Sequence, residues 1–294
     1  MAIEQPSDGY LQRRIPASPA SLESLLGEIG DDDDDIFGNR VEWKFVLSPD
    51  VAMAVRAEVA QRLHLEEFIP GRKKTIMHSV YFDSDDFMLY RRALVTESSV
   101  KFRLRTYTTF GDWTKMDPQG FFECKIGQKG KKFKLRSMLP VVRAADLMIP
   151  ARQTVAGTGR LSMPGLPTTG RLSIAADSRF MWKARRVLGE FHMTARLTVS
   201  YVREAFVSDN GALRVTFDEH YRAAPIAPGG LTPLGGPPGT MDQTIVEVKF
   251  LGGIPDWLAA VMDAHGLPLG GITFSKFRQG VALSYPELAD APRT

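Results

Sequence analysis

Ionic residues alternate with apolar residues in several segments, and this period of two constrains the fold more than any other feature of the sequence. In VKFRLRTY, residues 100–107, single apolar residues separate Lys101, Arg103 and Arg105. A β-strand points successive side chains to opposite faces, so the cations share one face and the apolar residues share the other. The same pattern recurs in RVEWKF, FFECKI, KKFKLR, RVTFDE and IVEVKF. The sequence therefore predicts at least six strands with one ionic and one apolar face.

Two arrangements produce such strands. An antiparallel sheet can rest one face on a core and expose its ionic face to water. Alternatively, the strands close into a barrel whose ionic faces turn inward, and helices then cover the apolar outer faces. Arginine and lysine predominate over serine, threonine and asparagine at the ionic positions, and single glutamates recur beside them. These residue types favour the barrel, with an aqueous channel lined by cations.

Positive charge is concentrated in the middle of the chain. The formal net charge is only +3, but between Lys101 and Arg136 there are ten lysines and arginines and three acidic residues. Crowded cations repel one another and lose hydration, so such a site is expected to exist for an anion of similar charge density. A chain of phosphates fits, because arginine binds phosphate oxygens with two donors and lysine provides a mobile charge. Nearby glutamates could hold a divalent metal that bridges the same oxygens.

Several other classes of protein are not indicated. A single cysteine, Cys124, excludes an internal disulfide framework, and its place in FFECKI predicts a core position. The N-terminus lacks the apolar region of a secretory signal, and no apolar run is long enough to span a bilayer, so a cytoplasmic location is expected. The five histidines are scattered, and no phosphate loop of the Walker type and no nucleophile elbow is present.

The chain divides into an arm, one domain and a tail. Residues 1–36, which include five consecutive aspartates at 31–35, are predicted to form a loosely ordered acidic arm. Residues 37–285 are predicted to form one domain, with a poorly matched segment at 138–190, and residues 286–294 a tail. Helices are predicted to start after Ser48, near Asp256 and at Ser275, and within the poorly matched segment at 141–148 and 176–188.

Eight motifs in this order resemble those of the VTC (vacuolar transporter chaperone) domain, within the CYTH-like triphosphate tunnel metalloenzyme superfamily: RVEWKF, HSVYFDS, SSVKFRLRTY, FFECKIG, VSYVREAF, LRVTFDE, TIVEVKF and FSKFRQG. The resemblance covers about residues 38–283. It implies an α+β fold in which an eight-stranded antiparallel β tunnel, with helices packed on its outside, binds a triphosphate lengthwise. In the polymerase members, the γ-phosphate of ATP is transferred to a growing polyphosphate chain with Mn²⁺ or Mg²⁺.

The resemblance also implies roles for individual residues. The phosphate-binding cations of the family match Lys44, Arg103, Arg105, Lys125, Arg203, Arg214 and Lys276, and its metal-holding glutamate matches Glu247. Of these, the residues predicted to be catalytic are Arg203, Arg214, Glu247 and Lys276. The strand pattern adds Lys134, Arg136 and Lys249 as candidate substrate-binding residues. Glu42 and Glu123 are candidate metal ligands, and they are equally suited to ordering nearby cations through ion pairs.

One departure from the superfamily pattern bears on the activity. Many members begin with two alternating glutamates before the lysine, whereas this chain has Arg40 at the first position and only Glu42 at the second. That change disfavours a two-metal hydrolase. The prediction is a polyphosphate polymerase. The alternatives are an inorganic triphosphatase or nucleoside triphosphatase on the same fold, and a noncatalytic polyphosphate- or nucleotide-binding subunit of a membrane complex.

The expected partners are ATP, triphosphate and polyphosphate. Nucleic acid is not expected, because an enclosed channel is too narrow for a duplex and the motifs lack a base-stacking platform. Association with a membrane would have to come from a separate protein. The sequence determines neither an oligomeric state nor the preferred metal.

Overall fold

The computed structural model describes residues 40–96, 98–109, 119–128, 131–140, 179–227, 230 and 233–289. The predicted acidic arm and the predicted helix at 141–148 lie outside these residues. No helix in the described ranges is long and apolar enough to cross a membrane.

Among the described residues, eight long strands and two short ones form one antiparallel sheet. The strands are β1 (Arg40–Leu47), β2 (His64–Leu65), β3 (Thr75–Asp83), β4 (Ser99–Thr109), β5 (Gln119–Gln128), β6 (Lys131–Pro140), β7 (Thr194–Val207), β8 (Leu213–Pro225), β9 (Gly239–Met241) and β10 (Thr244–Leu251). The long strands follow the order β1-β10-β8-β7-β3-β4-β5-β6, while β2 pairs with β7 and β9 with β8. The predicted eight-stranded antiparallel architecture is confirmed, although β1 and β6 do not pair with each other in the described part of the chain.

In the described part of the chain, six helices accompany the sheet: α1 (Pro49–Ala60), α2 (Met88–Val95), α3 (Arg179–Glu190), α4 (Asp256–Ala264), α5 (Lys276–Ser284) and α6 (Pro286–Ala289). The two predicted serine caps are present. The Ser48 side chain accepts a hydrogen bond from the amide of Val51, and Ser275 accepts one from that of Arg278. These bonds satisfy amides that have no partner within their own helix.

The apolar faces of the strands turn outward and are covered by helices. One cluster packs the outer side chains of β4 and β5, such as Phe102 and Phe122, against α3, and the fully buried Cys124 belongs to it, as predicted. A second cluster packs β1, β8 and β10 against α1 and α4. The ionic side chains of the same strands therefore face the concave side of the sheet.

Strand β8 is longer than the predicted Leu213–Asp218. Its pairing with β7 shifts register between Ser200 and Val202, and His220 takes a positive φ of 52° near this irregularity. An extra residue at a bulge reverses which face the following side chains occupy. The alternation that identifies the first half of β8 is lost at this point, so the sequence pattern ends before the strand does.

Helix α5 covers one end of the concave side. Phe277 packs against Tyr81, with ring centroids 5.0 Å apart, and Tyr221 donates a hydrogen bond to the carbonyl oxygen of Lys276 at 2.6 Å. A Cβ atom on Gly280 would lie 2.7 Å from the Tyr221 hydroxyl and 2.8 Å from a Leu197 methyl group. Only glycine therefore permits this close approach of the helix to the sheet.

Candidate functional site

The most buried ionic cluster joins β7, β8, β10 and α5. Arg203 donates two hydrogen bonds to Asp218, at 2.6 and 2.7 Å. Lys276 contacts both Asp218 at 2.7 Å and Glu247 at 2.6 Å, and Arg203 lies 3.5 Å from Glu247. Burial would raise the pKa of Asp218, but Arg203 and Lys276 outweigh that effect and lower it. The two carboxylates therefore stay ionised and hold the two cations in fixed positions.

A second cluster is centred on Glu123, which is 1% exposed. Its carboxylate contacts Arg103 at 2.6 Å, Lys134 at 3.0 Å and Arg136 at 3.4 Å. Strand pairing explains this geometry, because Arg103 on β4 and Arg136 on β6 are the cross-strand partners of Glu123. Burial by itself would raise the pKa of Glu123. The neighbouring cations, Arg103 above all, together have the larger opposite effect, so this pKa lies below its usual value. Glu123 was predicted either to bind a metal or to order nearby cations through ion pairs. These contacts fit the ordering of cations.

Three lysines lie directly opposite one another across β4, β5 and β6. Lys101 is the cross-strand partner of Lys125, which is the partner of Lys134. Like charges placed directly opposite destabilise a sheet. Lys134 is compensated by Glu123, but neither Lys101 nor Lys125 forms an ion pair with a carboxylate among the described residues. We call Lys101, Lys125 and Lys134 the lysine row.

Burial and mutual repulsion weaken protonation in the lysine row. The pKa of Lys101 falls to about 8, first through burial and then through Lys44, Arg103 and Arg278. The pKa of Lys125 lies well below its usual value, again mainly through burial. Lys44 on β1 is therefore among the charges that repel Lys101 on β4. An anion placed there would relieve the repulsion and raise the pKa of both lysines.

Arg105 lies beside the lysine row with neutral partners. It donates hydrogen bonds to the Tyr201 hydroxyl at 3.0 Å and to the Ser79 hydroxyl at 3.3 Å. Its side chain is buried, with 8% of the residue exposed. Since hydroxyl oxygens orient a guanidinium without neutralising it, Arg105 adds its full charge to the concave face.

On β1 and β10, two carboxylates share one lysine. Lys249 lies 3.5 Å from both Glu42 and Glu247, while Lys44 lies 3.9 Å from Glu42. Lys44 also donates a hydrogen bond to the carbonyl oxygen of Phe274 at 3.3 Å. Burial raises the pKa of Glu42, but Lys249 and Lys44 bring about a net decrease against the opposing effect of Glu247. Glu42 and Glu247 are therefore electrostatic neighbours.

Arg214 lies outside the cluster predicted to be catalytic. On β8 it precedes Asp218 by four residues, about 13 Å along a strand. Its guanidinium contacts Glu66 at 2.5 Å and lies over the ring of Phe68, 5.1 Å from the centroid. Of the four residues predicted to be catalytic, the structure brings together Arg203, Glu247 and Lys276, and places Arg214 with a different carboxylate.

The carboxylates fit a divalent metal only if that metal also binds a ligand. No group of three or more His, Cys, Asp or Glu side chains that could hold a metal occurs in the described ranges. Mg²⁺, however, is commonly bound through one or two carboxylates together with substrate phosphates and water. The neighbouring oxygens of Glu42 and Glu247 provide such a donor set. They fit a cation that arrives with a phosphate chain and do not fit a metal cage made of protein alone.

Sequence reasoning missed three residues that the structure places at the centre of the site. Asp218 holds both Arg203 and Lys276, although only its alternation with Arg214 in RVTFDE could have indicated an inward position. Lys101 shares the inward face with Arg103 and Arg105 in VKFRLRTY, but the motif resemblance assigns it no role. Tyr201 contacts Arg105 through its hydroxyl group, and because it precedes Arg203 by two residues the strand period puts it on the same face.

The arrangement is suited to binding a linear polyanion. Fixed cations surround a concave face, and Lys101, Lys125 and Arg105 have no carboxylate partner among the described residues. At least two cations hold each of the following carboxylates: Glu42, Glu123, Asp218 and Glu247.

Solved structures of other proteins, among them the following two, resemble this fold at low sequence identity. The PH1819 protein from Pyrococcus horikoshii OT3 is 13% identical, with a TM-score of 0.38, over 77% of this chain and 86% of that chain. A protein from Bacillus halodurans, provisionally described as an adenylate cyclase, is 12% identical, with a TM-score of 0.43, over 82% of this chain and 98% of that chain. A comparison with curated proteins finds no match for this sequence.

The family comparison covers most of the sequence. The model of the VTC domain matches residues 39–285. This range contains every strand named above, the two ionic clusters and the lysine row. The chain therefore belongs to the VTC domain family, to which the motif resemblance attributes binding of triphosphate and polyphosphate.

Proposed function

We propose that this protein is a metal-dependent polyphosphate polymerase that transfers the γ-phosphate of ATP to the end of a polyphosphate chain. The observation that carries the proposal is the lysine row, in which Lys101 and Lys125 lie opposite each other without a carboxylate partner in the described part of the chain. Such a site gains stability when phosphate oxygens are placed between the cations. Membership of the VTC domain family supports the same ligand class.

The proposed reaction depends on position and charge. A terminal oxygen of the polyphosphate chain forms a new bond to the γ-phosphorus, the bond from that phosphorus to the β,γ-bridging oxygen breaks, and ADP leaves. Lys101, Lys125 and Arg105 would align the phosphates, while Arg203 and Lys276 would stabilise charge that develops on the transferred group. Asp218 keeps the last two cations in place. Arg214, at its separate position, would contact a more distant part of the substrate.

The lowered pKa values of the carboxylates favour phosphate over water as the acceptor of the transferred phosphoryl group. A terminal phosphate oxygen is already ionised, so it needs no general base. Ion pairs lower the pKa of all four concave-face carboxylates, and this makes them weak bases toward water. This contrast is the physical reason for preferring the polymerase to the triphosphatase.

A divalent metal would be held by Glu247, with Glu42 as its neighbour. When bound, Mn²⁺ or Mg²⁺ would reduce the negative charge of the substrate phosphates. Lys249 lies 3.5 Å from both carboxylates and would have to move if both bound the metal.

The test uses the purified chain with ATP and either Mn²⁺ or Mg²⁺, and separates the products on a gel that resolves polymer from monomer. The proposal predicts long polyphosphate and ADP. Release of orthophosphate from ATP or tripolyphosphate without polymer would identify a hydrolase. Tight binding of polyphosphate without turnover under either metal would identify a noncatalytic binding subunit.

A further inference from the structure

Three aromatic rings and two arginines form a continuous group at one end of the concave face. Phe68 and Tyr107 are near parallel, with centroids 6.4 Å apart and an angle of 16°, and Tyr107 meets Phe121 edge-on at 5.9 Å. Arg214 lies over Phe68 at 5.1 Å, and Arg136 lies over Phe121 at 3.4 Å and donates a hydrogen bond to the Tyr107 hydroxyl at 2.9 Å. We call these five residues the aromatic rim.

The aromatic rim lies at the end of the site opposite α5. Helix α5 contacts Leu197 on β7, whereas the rim residue Arg214 is the cross-strand partner of Val207 at the other end of that strand. Along β4, Tyr107 follows Arg105 by two residues, about 6.6 Å, on the same face. The rim therefore continues the line of cations that runs through Lys101 and Arg105.

Binding phosphate alone does not account for these rings. Phosphate oxygens need donors and positive charge, and aromatic faces provide neither. A heterocyclic base, by contrast, stacks on aromatic side chains and on the plane of an arginine guanidinium. Phe68, Tyr107 and Phe121 are each only partly buried, so these rings keep accessible surface next to the phosphate-binding cations.

The geometry points to the aromatic rim as a binding site for the base of a nucleoside triphosphate whose phosphates lie along Arg105 and the lysine row. This inference rests on the proposed function and deepens it, because it fixes the orientation of the donor. The base lies at the rim, and the γ-phosphate lies farther along the concave face, toward α5. Inorganic polyphosphate lacks a base and makes no stacking contact at this position.

The test is isothermal titration calorimetry with two probes, a nonhydrolysable ATP analogue and inorganic tripolyphosphate, each with Mg²⁺. Stacking of one base on aromatic side chains corresponds to about 5- to 150-fold in affinity. We expect Phe68→Ala and Phe121→Leu each to weaken binding of the analogue about tenfold while tripolyphosphate binding changes less than about twofold. Phe68→Trp should restore binding of the analogue, because the larger ring also stacks.

The control is Trp182→Ala on α3, which also removes an aromatic ring that lies beside an arginine. Trp182 is 55% exposed, and the guanidinium carbon of Arg186 lies 5.8 Å from its ring centroid. It should change neither affinity. Equal weakening of both probes by the rim variants, or no weakening of the analogue, would overturn the inference. If the wild type makes no polymer but shows the predicted difference between probes, the polymerase proposal fails and the rim remains a base-binding site. If the wild type binds neither probe, both proposals fail.

Discussion

Replacing Asp218 by asparagine tests whether the buried cluster depends on this carboxylate. Asp218 is completely buried and holds Arg203 through two bonds and Lys276 through one. Asparagine keeps the shape and removes the charge, so Arg203 loses its closest carboxylate and Lys276 keeps only Glu247. Removing one member of a buried ion pair typically costs about 3–5 kcal/mol in free energy of unfolding. For a domain of this size each kcal/mol lowers Tm by about 2–4 °C, so we expect a decrease of about 6–20 °C.

The matched control is Asp85→Asn, because Asp85 also contacts an arginine, Arg196, at 2.9 Å, but with 87% of its side chain exposed. A surface ion pair contributes about 0–1 kcal/mol. Thermal and urea unfolding of both variants and the wild type provide the comparison. If Asp218→Asn is as stable as Asp85→Asn, the buried cluster does not depend on its carboxylate.

The pH dependence of the same variant has a defined sign. The native pKa of Asp218 is lowered, so the stability that its charge contributes is present above the unfolded value, about 4, and is lost as pH falls through the native pKa. The difference in stability between wild type and Asp218→Asn should therefore be largest near neutral pH and shrink below about pH 4. A difference that grows on acidification would contradict this sign.

Three further predictions concern protonation, helix packing and the metal. Binding of tripolyphosphate at pH 8.5 should be accompanied by proton uptake at Lys101, whose pKa is about 8 in the free protein. The variant Lys101→Arg should bind without that part of the proton uptake. Calorimetry in buffers of different ionisation enthalpy measures the uptake, and identical values in both proteins would refute the prediction. Gly280→Ala should lower stability by about 1–3 kcal/mol through overpacking, whereas Gly253→Ala, which meets no atom within 4 Å, should not; equal unfolding curves would show that α5 is not tightly packed. Glu247→Gln should raise the Mn²⁺ concentration needed for activity, and Glu123→Gln should leave it unchanged; the reverse order would exchange their proposed roles.

The sequence predicted most of the sheet because burial follows the strand period. In VKFRLRTY, the outward Phe102 and inward Arg103 occupy the faces that alternation assigned to them. Serine caps likewise identified the starts of α1 and α5, because capping depends on residues close in sequence. The short strands β2 and β9 were missed, since two or three residues cannot establish a period.

The pairing of charges could not be predicted, because it depends on which strands become neighbours. The sequence motifs predict the same role for Arg214 and Arg203. In the structure, however, β2 and the loop that follows it bring Glu66 to Arg214, whereas β8 brings Asp218 to Arg203. The aromatic rim has the same origin. Phe68 lies in a loop with no repeating pattern, and it meets Tyr107 only after the sheet has curved.

The most direct test of the account compares tripolyphosphate affinity in the wild type, Lys125→Gln and Lys73→Gln. Lys125 lies in the lysine row, whereas Lys73 is an exposed lysine, so the two variants lose the same formal charge. We predict that Lys125→Gln binds tripolyphosphate at least tenfold more weakly and that Lys73→Gln stays within about twofold of the wild type. Equal affinities in the two variants would contradict the claim that the concave cations form the phosphate site.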